Sequence, residues 1–159
     1  HLFSIIKTKP FDQKLYDDTK AKIALLNTPN TKLIFFEADL KLAERTQNWS
    51  EYAKLAVANV DQYYSKDANA LNSISWNFYE KVEDKEALTK ATTWAKAACD
   101  LDKNYANLDT YAAVLYKAGQ KDLALKTANE AIELAKKEKY TQEDYKGTTD
   151  LIQKIKAGK

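Results

Sequence analysis

The segment LDTYAAVLYKAGQKDLALKTANEAIEL, residues 108–134, constrains the fold more than any other part of this chain. It reads as two amphipathic helices joined by a tight turn at Gly119, with alanines where the helices must touch. Glycine enters the left-handed conformation that closes a helix, and an alanine stripe lets two backbones approach closely. An echo begins at Leu71. Aligning Leu71 with Leu108 brings Phe78 onto Leu115 and Tyr79 onto Tyr116. In the second helix of each pair, Ala91, Ala95 and Ala98 align with Ala124, Ala128 and Ala131. A helix pair that recurs cannot bury its apolar face alone, so it must stack on a neighbour. The expected fold class is all-α.

The rest of the sequence leaves room for little else. Only 3 Gly and 2 Pro interrupt 159 residues, which argues against a many-turned β architecture. Hydrophobic residues at 45% and charged residues at 30% describe a folded chain with a solvated surface. The formal net charge of +2 gives no electrostatic reason to expect nucleic acid or an anionic membrane as partner. No apolar run reaches the roughly 20 residues of a membrane span, so membrane insertion is not expected. The chain opens at His1 and contains no methionine, so it is expected to be a processed product or a piece of a longer protein.

Breakers and periodicity divide the chain. Residues 1–10 form a short lead-in ending at Pro10. A leading helix follows at 11–30, its stripe made by Phe11, Leu15, Ile23 and Leu26 with Thr19 the polar member, and Pro29 ends it. Leu33, Phe36, Leu40 and Ala43 mark the next helix, and Ser50 is placed to cap the one after it. Along that third helix Tyr52, Ala53, Ala56, Val57 and Val60 build one face. Residues 31–66 are thus a degenerate pair, 69–103 a repeat, 105–139 the clearest repeat, and 141–157 a capping helix. Thr141 and Asp144 offer a capping-box-like start for that last helix, with Leu151, Ile152 and Ile155 as its stripe. About eight helices in one domain over 11–157 are expected.

The two units resemble tetratricopeptide repeats. From Leu71 to Leu108 is 37 residues and from Ala91 to Ala124 is 33, bracketing that family's period of about 34. Tyr111-Ala112 stands where the family commonly has Leu-Gly, Leu115 where it has an aromatic, and Gly119 at its turn glycine. Leu101-Asp102 resembles the end of a repeat, with Lys103 in place of the customary proline. The resemblance implies antiparallel helix pairs stacked as a short right-handed solenoid. The run from Trp76 to Lys137 also resembles the C-terminal helical region of bacterial cell-envelope thioredoxin-fold proteins. That resemblance implies a periplasmic or envelope location and an N-terminal thioredoxin-like domain as partner in the full-length protein. It transfers no catalytic residue, because the Cys-x-x-Cys centre is absent.

Candidate chemistry is sparse. His1 is the sole histidine and Cys99 the sole thiol, so neither a zinc set nor a histidine-dependent triad can be assembled. Cys99 is expected to be a buried core thiol. Asp100-x-Asp102-x-Asn104 begins like a calcium loop, but Tyr105 and Tyr111 stand where glycine and the bidentate glutamate are needed. No catalytic residue, metal site or cofactor is assigned, and the chain is expected not to be an enzyme. In tetratricopeptide proteins the first helices of successive units line a concave groove. That resemblance places Asn72, Ser73, Trp76, Tyr79 and Glu80 beside Asp109, Ala113, Tyr116 and Lys117, as a face for a protein or peptide. The competing reading has Trp76 or Tyr79 filling space between helices. The lysine and asparagine set with which some members clamp a terminal carboxylate is incomplete here. The expected function is a non-enzymatic interaction scaffold, and the alternative is a structural accessory domain of a larger thioredoxin-like redox protein.

Overall fold

The computed structural model describes residues 1–158, which are 76% helical and contain nine helices and no strand. In chain order these are α1 (Leu2–Ile6), α2 (Gln13–Leu25), α3 (Thr31–Arg45), α4 (Trp49–Tyr63) and α5 (Ala68–Lys81). They are followed by α6 (Lys85–Leu101), α7 (Tyr105–Lys117), α8 (Lys121–Lys137) and α9 (Lys146–Lys156). The all-α expectation holds. No described helix is long and apolar enough to cross a membrane. The chain divides into two compact units, His1–Asn59 and Val60–Lys159, with the division inside α4.

In the first unit α1, α2 and α3 pack on one another. The lead-in is not a bare segment: Leu2, Ile5 and Ile6 of α1 are buried in a cluster with Tyr16 and Ala38. Of the expected stripe, Phe11 and Ile23 pack on this cluster, but the other two members do not. Leu15 and Leu26 are 47% and 69% exposed, whereas Tyr16 is 2% exposed. A buried tyrosine needs a partner for its hydroxyl, and Tyr16 donates to Asp39 Oδ1 at 2.8 Å. Lys20 meets both oxygens of the same carboxylate at 2.7 and 2.6 Å. Asn48, rather than Ser50, receives the first-turn N–H of α4, from Glu51 at 3.2 Å.

The second unit is closed by side-chain caps and left-handed turns. Asp67, Asp84 and Asn104 accept from the backbone N–H groups of Ala70, Ala87 and Asn107 at 2.9, 2.7 and 2.9 Å, starting α5, α6 and α7. Between α7 and α8, Gly119 lies at φ 84°, and the N–H groups of Gly119 and Gln120 return to the carbonyls of Tyr116 and Leu115. This is a Schellman closure. The same pattern ends α8, but there Lys139 occupies the left-handed position at φ 63°. Gly119→Ala is therefore expected to cost about 1 kcal/mol, with no steric term since nothing lies within 4 Å of an added Cβ. Lys139→Gly is expected to gain a similar amount, about 1 kcal/mol. Urea midpoints of the two variants, moving in opposite directions, check both.

The body of this unit is an alanine-lined stack. Ala91, Ala95 and Ala98 of α6, Ala112 of α7, and Ala124, Ala128, Ala131 and Ala135 of α8 are all 0% exposed. Helix α5 packs on α6 and α7, α6 on α7, α7 on α8, and α9 on both α7 and α8. Phe78 and Trp94 fill the space between α5 and α6, their rings edge to face at 5.3 Å. The Trp94 indole N–H donates to Asp61 Oδ1 at 2.7 Å, and the Lys90 ammonium binds the other oxygen of that carboxylate. Lys90 above all holds the Asp61 carboxyl below the usual range, against the opposing effect of burial.

The last helix begins later than expected. Thr141 and Asp144 do interact, but as a local turn: Asp144 Oδ2 accepts from the Thr141 N–H and hydroxyl at 2.7 and 2.8 Å. The helix itself starts at Lys146. On its inner face, Leu151, Ile152 and Ile155 join Ala112, Ala113, Leu115, Ala124 and Ala128 in one buried cluster.

Candidate functional site

Helices α5 and α7 lie against each other and carry all nine residues of the expected face. Their placement is not uniform. Ser73 and Glu80 are exposed, while Asn72, Trp76, Tyr79, Asp109, Tyr116 and Lys117 are half-buried. Ala113 is buried in the α7–α9 cluster, so its methyl group belongs to the core. Trp76, Tyr79 and Tyr116 also pack against that cluster on one side. Each of these aromatics fills space inward and keeps some surface exposed.

The structure brings Trp76, Tyr79, Glu80, Asp109 and Tyr116 together. The Trp76 and Tyr79 rings stand 5.2 Å apart, tilted at 49°. Burial pushes the Tyr79 phenol up, and Asp109, Tyr116 and Glu80 add to the shift in that order. Lys117 turns instead toward the end of α5, its ammonium donating to the Tyr79 carbonyl at 2.8 Å and to Glu83 Oε1 at 2.7 Å. The last carbonyls of a helix lack intrahelical donors and carry partial negative charge, which explains this choice. Asn72 has a different role: its Oδ1 is shielded from solvent and accepts no hydrogen bond.

Asp109 is the most unusual group on this face. Its Oδ1 accepts from the Thr148 hydroxyl of α9 at 2.5 Å, and the Tyr105 hydroxyl stands 2.8 Å from the same Thr148 oxygen. Threonine has one proton to give and it goes to the carboxylate, so Tyr105 donates to Thr148. Burial raises the Asp109 carboxyl above the usual range, and the Thr148 hydrogen bond only partly opposes this. A raised folded-state value means the group favours folding below the ordinary carboxylate range and loses that contribution as pH climbs through the raised value. Asp109→Asn keeps an acceptor for Thr148 without the charge. It is expected to be more stable than wild type at pH 7 by up to about 1 kcal/mol, an advantage that vanishes near pH 4. Denaturant midpoints at the two pH values check this, and a less stable variant at pH 7 would show the charge to be favourable.

Thr148 and Tyr105 were absent from the expected face. A signal existed for Thr148, which shares the spacing of Leu151, Ile152 and Ile155 and is a polar residue on an apolar stripe. Asn104 and Asp102, from the calcium-like run, serve the helix boundary: Asn104 caps α7 and donates to Asp102 Oδ2 at 2.8 Å. Among the described residues no three His, Cys, Asp or Glu side chains are grouped to hold a metal ion. Cys99 is half-buried rather than enclosed, and burial pushes its thiol up to about 11, which keeps it protonated and weakly nucleophilic. Compared with protein families, curated proteins and solved structures, the chain has no match.

Proposed function

We propose that this chain is a non-enzymatic interaction scaffold, built of tetratricopeptide-like helix pairs stacked in a short right-handed solenoid. It binds a protein or peptide segment along α5 and α7. One observation supports this reading most: Trp76, Tyr79 and Tyr116 keep part of their surface outward on two adjacent helices, beside Asp109 and Glu80. Tyrosine and tryptophan supply large rigid contact area with few torsions to freeze, as interface anchors do. The packing order is consistent with stacked pairs, since α7 touches both helices of the preceding pair and α9 touches both helices of the next.

The immobilised chain should capture a defined partner that Tyr79→Ala with Tyr116→Ala fails to hold. Anchor truncations of this kind cost roughly 2 kcal/mol or more each, so the loss is expected to exceed thirtyfold. Both rings also touch the core, so the variant's helicity must be checked by circular dichroism. A folded variant that binds as well as wild type would remove the face from the account.

A further inference from the structure

We propose that the aromatic and acidic part of the α5–α7 face takes a cationic side chain, lysine or arginine, of a bound polypeptide. The Trp76, Tyr79 and Tyr116 rings supply π faces and Asp109 the counter-charge. This inference rests on the partner-binding reading of the same face and adds the partner's chemistry.

The charge on the face is one-sided once its ion pairs are resolved. Lys117 is its only basic residue, and that ammonium is committed to the Tyr79 carbonyl and to Glu83. Glu80 is exposed and has no ion-pair partner among the described residues. Asp109 has one oxygen on Thr148, and its other oxygen takes no protein donor among the described residues. No basic side chain offsets its burial, which is why its carboxyl is raised.

The half-satisfied carboxylate asks for a donor. Asn72 Oδ1, one turn before Trp76, is a shielded acceptor without a partner. It is closed to a bound side chain, so the acceptor left for one is the second oxygen of Asp109. Ammonium and guanidinium groups are donors only, and they are attracted to the faces of tryptophan and tyrosine. An acidic segment would meet Asp109 and Glu80 with like charge.

Acetyl-hexalysine amide and acetyl-hexaglutamate amide, titrated separately into the isotopically labelled chain and followed by NMR, separate the possibilities. The net charge of +2 favours the glutamate peptide non-specifically, so a preference for lysine must come from the local site. Hexalysine is expected to shift the Trp76 indole resonance saturably, with about tenfold weaker binding in Asp109→Asn and a smaller loss in the exposed variant Glu80→Gln. Hexaglutamate shifting Trp76 as strongly would overturn the inference while leaving the face as a binding surface. Hexalysine producing no saturable shift at Trp76 would also overturn it, and partner capture would then decide the broader reading separately.

Discussion

Phe78→Ala is expected to destabilise the second unit by about 3–5 kcal/mol, the largest effect of any single truncation considered for this chain. The ring is 0% exposed and stands edge to face with Trp94, itself 2% exposed. Removing it forfeits the transfer free energy of the phenyl group and leaves a void that α5 and α6 cannot close. Trp94 is held by its indole bond to Asp61, and the alanines along α6 have no side-chain reach to fill the gap. A domain of this size is stable by only about 5–15 kcal/mol, so the loss is a large fraction of the total. Thermal unfolding should move down by on the order of 10 °C. Phe78→Leu, which keeps most of the volume, is expected to cost less than about 1.5 kcal/mol. If Phe78→Ala unfolds within about 1 kcal/mol of wild type, the ring is not enclosed between α5 and α6.

Ala128→Leu is expected to destabilise by about 1–3 kcal/mol although it adds apolar surface and keeps good helix propensity. Ala128 is 0% exposed and sits in the cluster formed with Ala112, Ala113, Leu115, Ala124 and α9. Leucine there needs space that exists only if α7 and α8 move apart, and neighbours packed at interior density resist this. The control is Leu123→Ala on the same helix, 40% exposed, which should change stability by no more than about 0.5 kcal/mol. Equal stabilities for wild type and Ala128→Leu would mean that the alanine stripe does not set the approach of these helices.

The alanine stripe and Gly119 made the α5–α8 stack legible, because small residues at helical spacing have one physical use there. The first unit was harder. Periodicity favoured Leu15, but the buried residue is its neighbour Tyr16, whose burial depends on a hydroxyl partner at Asp39 that no local pattern reveals. Helix α1 is too short to be stable alone and is buried by tertiary contacts. Lys117 was expected to face a partner, yet the carbonyl end of α5 claims its ammonium. Asn107 is buried, and in sequence a buried asparagine looks like a surface one. Its side chain donates to the Asp102 and Ala98 carbonyls at 2.6 and 3.4 Å and fixes the α6–α7 turn. The alignment of Tyr79 with Tyr116 is visible in the sequence, whereas the Tyr105–Thr148–Asp109 chain depends on α9 docking and exists only in three dimensions.

On the proposed reading, the alanine side of the helix pairs builds the fold while the α5–α7 face receives a partner. Ser73→Arg with Glu80→Arg tests it most directly, because both positions are exposed and neither belongs to the buried cluster. Partner affinity and urea midpoint should be measured on the same preparations. The expected result is a midpoint within about 0.5 kcal/mol of wild type together with at least tenfold weaker binding. An unchanged midpoint with unchanged affinity would contradict it.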